Sequence, residues 1–305
     1  MLQESSRNVC KILIAIPHYF KETQGGTGYG SGQEGARLQR TIALARCLQG
    51  LKLQRRTLST ALLNIKNKHI EYHERNKLTN QRIQEVEIEI HLFCNNSEMI
   101  SELTNLFNSW ITVHNLNLDN PKMLPVAARD WLIKNGSNCT LYVYMEDDIV
   151  ITDNLFFDKQ LWFLERTNHQ AVLMPHRFEQ NFNGDVGEFL VDGPLNQSFI
   201  DQFYTPEEKF AHGMWNPNEG TIWFDRFANP HSGCFVISDQ QRKIIMQESL
   251  NNDGFVSPLE TAATLTVMKH FPILKPSLIN YNFLLVEHAH PTFSCLLNQW
   301  ESSYV

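Results

Sequence analysis

Apolar and polar residues follow two different periods at the start of the chain. Residues 9–16 form a β-branched apolar run of the length of a buried strand, which ends at Pro17. Residues 36–50 instead have helical spacing, and Gly50 is the predicted end of this helix. The side chains that we expect on its buried face are Leu38, Ile42, Ala45 and Leu48.

The alternation of strand and helix continues to Met145. The predicted elements are a strand at 86–94, a helix at 97–110, a strand at 111–118, a helix at 124–136 and a strand at 141–145. This alternation indicates an α/β fold with a mostly parallel, Rossmann-related central sheet flanked by helices. In such sheets, ligands bind beyond the carboxyl ends of the strands.

The second half of the chain is less regular. The predicted elements are a helix at 154–167, a strand at 171–176, a strand at 233–238, a helix at 257–271 and a final strand at 282–291. Residues 178–232 are predicted to be mostly loop, and their many aromatic rings are expected to be core or an acceptor platform. Trp215 or Trp223 is the ring for which we expect exposure.

Composition and charge narrow the class of protein. A length of 305 residues with 42% hydrophobic and 19% charged residues is typical of a globular protein. The net charge of −7 argues against a nucleic-acid partner. No apolar run reaches the ~18 residues that a transmembrane helix needs. Six dispersed cysteines without zinc spacing favour a reducing, cytoplasmic location.

The segment 52–82 is a local exception to the acidic balance, with eight Lys or Arg residues and two acids. A solvated, partly helical insertion explains this composition. Peripheral contact with an anionic membrane or with an anionic substrate is the alternative.

Three consecutive acids, Glu146, Asp147 and Asp148, end the buried run 141–145. On an extended backbone, Glu146 and Asp148 face the same way. Two such carboxylates offer hard oxygen ligands for Mg²⁺ or Mn²⁺, and an ion carried with a nucleoside diphosphate would neutralise charge on its phosphates. The alternative is a solvated turn in which the acids cap the next helix.

Several segments, in their order along the chain, resemble the GT-A superfamily of nucleotide-sugar glycosyltransferases. They are "IPHYF" after the first strand, "AARDWLI" in the helix before the acids, "YMEDDIVI", "SGCFVIS" and an acid that opens a late helix. The acidic triplet corresponds to the D-x-D motif of that superfamily. The resemblance implies a single compact domain in which residues 1–150 bind the nucleotide-sugar donor and residues 151–305 bind the acceptor and carry out catalysis.

The resemblance also implies roles for individual residues. Asp148 would be the principal metal ligand, and Glu146 or Asp147 would lie nearer the ribose and sugar, with Glu146 as a second ligand. Pro17, His18 and Tyr19 fall where the first loop of the family meets the nucleotide. Arg129, followed by Asp130, matches a basic residue near the donor. His288, which shares a strand face with His290, would complete the metal site.

Glu260 has two interpretations. In "SPLE", Ser257 is a helix N-cap, Pro258 is the first helical residue and Glu260 completes a capping box. The resemblance instead makes Glu260 the general base that deprotonates the acceptor hydroxyl. Thr261 departs from the second acid that inverting members often have at this point, so a retaining mechanism stays open.

These observations predict a metal-dependent glycosyltransferase that moves a sugar from a nucleotide-sugar donor to a glycan or glycoconjugate acceptor, with inversion. The alternatives are a nucleotidyltransferase on a related fold and a catalytically silent glycan-binding module. Residues 30–35 match G-x-G-x-x-G, but they follow the first strand too late for a dinucleotide fingerprint. A glycine-rich lid near the donor is the better interpretation.

Overall fold

The computed structural model describes residues 9–22, 32–136, 138–180, 187–218 and 220–298. The strands are β1 (Val9–Pro17), β2 (Ser59–Asn64), β3 (His69–Glu74), β4 (Glu85–Asn95), β5 (Ile111–Leu116), β6 (Leu141–Met145), β7 (Ile149–Val150), β8 (Val172–Leu173), β9 (His176–Gln180), β10 (Glu188–Leu190), β11 (Glu207–Gly213), β12 (Ile222–Arg226), β13 (Cys234–Ser238), β14 (Ile273–Pro276) and β15 (Leu285–His288). Of the predicted glycine-rich lid at residues 30–35, residues 30 and 31 lie outside the described residues.

The helices lie between these strands. They are α1 (Arg37–Gln54), α2 (Ser101–Leu106), α3 (Leu124–Asn135), α4 (Phe156–Arg166), α5 (Gln197–Ile200), α6 (Asp239–Met246), α7 (Pro258–Glu260) and α8 (Thr266–Met268). A π-helical turn, Thr261–Leu265, joins α7 to α8. Short 3₁₀ turns cover Pro121–Met123, Leu278–Phe283 and Ser294–Asn298.

A five-stranded sheet in the order β13-β6-β1-β4-β5 is the centre of the molecule. β1, β4, β5 and β6 are parallel, and β13 joins β6 antiparallel. The strands β1 and β6 are apolar and almost wholly buried, as expected of strands covered on both faces. The predicted α/β class with a mostly parallel central sheet is therefore confirmed. The division of the chain into a donor half and an acceptor half stays a prediction.

Two smaller sheets, β10-β9-β15-β7 and β11-β12-β14-β8, occupy the second half of the chain. The prediction that residues 178–232 are mostly loop missed the strands β10, β11 and β12, which lie within them. Buried ion pairs obscure the strand pattern here. In β9, for example, Arg177 and Glu179 are both buried.

The segment 52–82 also differs from its prediction. α1 ends at Gln54, and the rest of the segment contains an antiparallel hairpin, β2–β3, instead of further helix. Gly50 does not end α1. A Cβ at this position would lie 2.9 Å from the carbonyl oxygen of Ile151, so glycine allows the helix to pack closely against that backbone.

The buried face of α1 matches the prediction only in part, because Leu48 is buried but Leu38 and Ile42 are exposed. The residues that face inward are Arg40, Ala43, Leu44, Cys47, Leu48 and Leu51. A cation therefore lies on the buried face, where it needs an acidic partner.

Most aromatic rings of the second half belong to the core. Trp215 is buried, and its ring packs edge-on against Trp162, with centroids 5.6 Å apart. The expected exposed platform is therefore not formed by Trp215, whereas Trp223 is partly exposed. Within the described ranges, none of the helices has the length and apolar character needed to cross a bilayer.

Candidate functional site

A cavity of about 910 Å³ lies at the carboxyl ends of β1 and β6. Pro17 ends β1, and Glu146 follows β6 directly. The Glu146 amide donates to the carbonyl of Gly233 (2.9 Å), which continues the pairing of β6 with β13, and the chain then turns, with the Ile149 amide donating to the Glu146 carbonyl (3.3 Å). This is the edge of a parallel sheet at which ligands bind. The volume is within the range of small-molecule and cofactor sites.

The three acids line this cavity and are buried, with exposed fractions of 7%, 7% and 8% for Glu146, Asp147 and Asp148. The solvated-turn alternative requires these carboxylates to be exposed to solvent, and they are not. Each carboxylate must be compensated, because an unpaired buried charge costs several kcal/mol. The compensating groups come from distant parts of the sequence.

Arg40 of α1 is the main partner of the two aspartates. Its Nη2 donates to Asp147 Oδ1 (2.5 Å), and its Nη1 donates to Asp148 Oδ2 (2.8 Å). The sequence analysis did not identify Arg40 as a site residue. The available signal was its position four residues before Leu44, on the stripe that continues to Leu48 and Leu51.

His18 holds the other oxygen of Asp147. The amide of Ile100 donates to His18 Nε2 (3.1 Å), so we assign the ring proton to Nδ1, which donates to Asp147 Oδ2 (2.5 Å). Burial would raise the pKa of Asp147, but Arg40 and His18 outweigh burial and hold this pKa below its usual range. Asp147 is therefore a fixed anion. Pro17 and Tyr19, on either side of His18, line the cavity.

Glu146 lies in a different environment. Burial raises its pKa to about 8, although the nearby Arg177 opposes this shift. Arg177 also lines the cavity and is held by Asp192, which accepts from Nε (3.0 Å) and Nη2 (2.8 Å). His231 Nε2 lies 3.7 Å from Glu146 Oε1. Arg177 and His231 are cavity residues that the sequence analysis missed, because no local pattern distinguishes them.

His288 is held by Glu179, a buried carboxylate. Glu179 Oε1 lies 2.8 Å from His288 Nδ1, and Glu179 accepts from the amides of Thr292 (2.9 Å), Phe293 (3.0 Å to Oε2) and Ser294 (2.7 Å). Burial would raise the pKa of Glu179, but these donors lower it to about 2. One carboxylate thus orients His288 and fixes the 292–294 segment, of which Thr292 and Phe293 line the cavity.

The other ring nitrogen of His288, Nε2, faces Asp148 Oδ2 at 3.6 Å. Because an ionised Glu179 can only accept, we assign the ring proton to Nδ1. In the neutral ring, Nε2 then presents a lone pair toward the carboxylate. A histidine whose other nitrogen donates to a carboxylate is the usual arrangement of a metal-binding imidazole.

Glu260 lies on the cavity wall and also contacts the helix cap. The Ser257 hydroxyl donates to Glu260 Oε2, and it accepts from the Leu259 amide (3.2 Å). Ser257 is thus the N-cap of α7, as the sequence indicates. The carboxylate has a second oxygen, so the cap contact and a role in the cavity are compatible.

Arg129 does not lie on the cavity wall. Its guanidinium is fully buried and donates to Asp130 (2.7 Å), to the Thr266 hydroxyl (2.8 Å) and to the carbonyl of Asn251 (2.8 Å). These bonds tie α3 to the segment around α8. The predicted contact between Arg129 and the donor has no support in this geometry, because the donor groups of the side chain are used within the fold.

The cavity residues are suited to a divalent ion. Glu146 Oε1, Asp148 Oδ1 and His290 Nε2 are buried and have no hydrogen-bond partner in the part of the chain that the structure describes. Among the described residues, no group of three or more such side chains is arranged to hold a metal by itself. Mg²⁺-type ions are often held by one or two carboxylates together with substrate phosphates. The residues therefore fit an ion that arrives with a diphosphate better than a permanently bound one.

Comparison with known proteins gives only distant similarities. No protein-family model and no curated protein matches the chain. Among solved structures, S. aureus TarS 1-349 in complex with UDP-GlcNAc is similar with a TM-score of 0.45 and 11% identity, over 97% of this chain and 62% of that one. S. aureus TarS 1-349 in complex with UDP has a TM-score of 0.43 and 10% identity, over 88% and 58%.

The chain thus spans about three fifths of the length of these two TarS structures. TM-scores and identities of this size do not establish a family.

Proposed function

We propose that this protein is a metal-dependent glycosyltransferase that transfers a sugar from a nucleoside-diphosphate sugar to a glycan or glycoconjugate acceptor, with inversion. One observation carries the proposal. The acids Glu146, Asp147 and Asp148 are buried on the wall of a large cavity at the carboxyl edge of a parallel sheet. Glu146 Oε1 and Asp148 Oδ1 have no hydrogen-bond partner among the described residues, and this supports a divalent ion that binds at this place.

Asp148, Glu146 and His288 are the residues that would hold the ion. Mn²⁺ and Mg²⁺ suit this set, because carboxylate oxygens are hard ligands and an imidazole tolerates Mn²⁺. When bound, the ion would neutralise charge on the diphosphate leaving group.

The cationic side chains support a diphosphate at the same place. Arg177 and His231 line the cavity beside Glu146, and Arg40 lies against Asp147 and Asp148. Guanidinium groups held by carboxylates are pre-oriented donors for phosphate oxygens. Pro17 and Tyr19, at the end of β1, would contact the nucleotide.

In the transfer step, the acceptor hydroxyl oxygen attacks the anomeric carbon and forms the new glycosidic bond. The bond from that carbon to the phosphate oxygen breaks, and the nucleoside diphosphate leaves with the electron pair. Glu260 accepts the hydroxyl proton, at the oxygen that Ser257 does not cap. Asp147 stays ionised, held by His18 and Arg40.

The test is release of nucleoside diphosphate from a panel of nucleotide sugars with Mn²⁺, beginning with UDP-GlcNAc, the ligand of one of the similar structures. We expect turnover that a chelator abolishes. Asp148→Asn should lower it at least a hundredfold, about the upper end of losses seen for groups that support a metal. The fold should persist, because Arg40 keeps its bond to Asp147.

The matched control is Asp201→Asn, an exposed acid on the surface, which should retain full turnover. Equal activity of Asp148→Asn and the wild type would remove the metal assignment. Binding of nucleotide sugars without any turnover would instead favour a silent glycan-binding module. Release of pyrophosphate from nucleoside triphosphates would favour a nucleotidyltransferase.

A further inference from the structure

The hairpin β2–β3 has one apolar face that no other described strand covers. β2 and β3 form a two-stranded sheet of their own. Leu63 pairs with Ile70 and Ala61 with Tyr72, so these four side chains share one face, which we call the apolar hairpin face. Leu63, Ile70 and Tyr72 are 61%, 47% and 76% exposed. A contiguous exposed apolar surface of this kind marks an interaction site.

The opposite face of the hairpin is mostly polar, and Leu62, which is 54% exposed, is its one large apolar side chain. Asn64 donates to Glu71 (2.6 Å), and His69 Nε2 lies 3.0 Å from the same carboxylate. Three of the four large apolar side chains of the two strands thus lie on the apolar hairpin face, so the hairpin is amphipathic. A two-stranded hairpin is at best marginally stable alone in water, which makes such an unpaired face more significant.

The turn at the tip of the hairpin combines an apolar residue with two cations. Ile65 is 78% exposed, and Lys66 and Lys68 follow it within three residues. Arg75 and Lys77 are exposed at the foot of the hairpin. The whole segment 52–82 carries eight basic residues and two acids in a chain with a net charge of −7. Four of these cations lie at the tip and foot of the hairpin, whereas Arg56 is buried against Asp158 and Arg82 pairs with Glu165.

This chemistry distinguishes between two kinds of partner. Lysine is depleted in protein–protein interfaces, where it is costly to desolvate. At a bilayer surface, lysines keep the ammonium in water while their stems lie along apolar groups, and each contributes attraction to anionic lipids. Tyrosine is enriched at the same depth, because its ring is apolar and its hydroxyl is polar.

We propose that the β2–β3 hairpin docks on an anionic phospholipid bilayer, with Leu63, Ile65 and Tyr72 in the interfacial layer and Lys66 and Lys68 among the headgroups. The strands are six residues long, about 20 Å, so the tip can reach the lipid while the foot stays with the central sheet. This inference does not depend on the proposed glycosyltransferase activity.

The test is co-sedimentation of the full chain with vesicles of phosphatidylcholine alone or with about 30% phosphatidylserine. We expect binding to the anionic vesicles only, and weaker binding at high salt, because salt screens the attraction. The double variant Lys66→Gln/Lys68→Gln should weaken binding about thirtyfold. Leu63→Ser/Ile65→Ser should weaken it at least about tenfold.

The matched controls are Lys134→Gln and Ile279→Ser, an exposed cation and an exposed apolar residue away from the hairpin, and both should bind as the wild type does. Thermal unfolding should show all variants folded, because the changed side chains are exposed. Failure of the wild type to bind anionic vesicles, or equal binding of wild type and hairpin variants, overturns the proposal. So does a dimer in sedimentation velocity that Leu63→Ser/Ile65→Ser converts to monomer, since the apolar hairpin face would then be covered by a second copy.

Discussion

At the scale of single residues, Glu260 combines a structural contact with a possible catalytic role. Its Oε2 accepts from the Ser257 hydroxyl at the start of α7, and its carboxylate is on the cavity wall. Glutamine keeps an oxygen acceptor for Ser257 but has no basicity. The two roles can therefore be separated by substitution at each end of the contact.

Glu260→Gln should lower kcat for sugar transfer by at least about a hundredfold, the lower range for loss of a general base, with an unchanged melting temperature. Ser257→Ala should cost about 1 kcal/mol of stability through loss of the cap, with turnover near that of the wild type. Steady-state kinetics and thermal unfolding of both variants check this. Lost stability with normal turnover in Glu260→Gln would make the residue a cap alone.

The sequence indicates the anionic side of the site much better than the cationic side. Glu146, Asp147 and Asp148 stand out because three acids interrupt an apolar run. Arg40 and Glu179 do not stand out, because their partners are far away in the sequence. Asp147 lies 107 residues after Arg40, and His288 lies 109 residues after Glu179. Pairing at such separations depends on the topology of the sheet, which local patterns do not specify.

At the scale of elements, α1 shows how close packing overrides helix propensity. The helix continues through Gly50 to Gln54. Alanine is favoured over glycine in a helix by about 1 kcal/mol. At Gly50, however, an added Cβ would meet the Ile151 carbonyl at 2.9 Å and the Val150 side chain at 3.2 Å.

We therefore expect Gly50→Ala to lower the free energy of unfolding by about 1 to 3 kcal/mol, the usual cost of overpacking, instead of raising it. Urea unfolding measures this change. Gly193→Ala is the control for crowding, because nothing lies within 4 Å of its Cβ position, and it should be close to neutral. A more stable Gly50→Ala variant would mean that α1 can move away from this backbone.

Elements whose apolar residues follow a clear helical or strand pattern could be predicted, and elements stabilised by buried ion pairs could not. β1, β4, β5 and β6 have apolar runs that identify them, so the central sheet follows from the sequence. In β9, the buried residues include Arg177 and Glu179. From the sequence they are expected on the surface, because their buried partners Asp192 and His288 are not apparent there. The π-helical turn at Thr261–Leu265 likewise has no sequence signal that we can identify.

At the scale of the whole molecule, buried neutral histidines make stability depend on pH. His176 is buried and its Nε2 lies 2.7 Å from the Pro276 carbonyl oxygen. Burial, with help from the charge on Lys275, lowers the pKa of His176 from 6.5 to about 4. Above pH 6.5 the ring is neutral in both the folded and the unfolded state. Below that pH, the unfolded state binds the proton first.

Stability should therefore fall as the pH falls from 6.5 to about 4, at a rate of about 1.4 kcal/mol per pH unit for this one proton. In His176→Gln, the fall across the same window should be less steep by about that amount, even if the variant is less stable at neutral pH. Urea unfolding at several pH values in this window checks the slope. Identical slopes for wild type and variant would show that His176 is protonated in the folded state.

Glu179 is synthesised more than a hundred residues before the groups that bind its carboxylate, since the amide of Ser294 lies 115 positions later in the chain. During translation, β9 therefore leaves the ribosome before the donors that bind its carboxylate have been synthesised. The orientation of His288 and the last part of the cavity wall both form only when the residues after 287 bind to Glu179. A nascent chain can thus complete its central sheet while this part of the cavity wall is still unfinished.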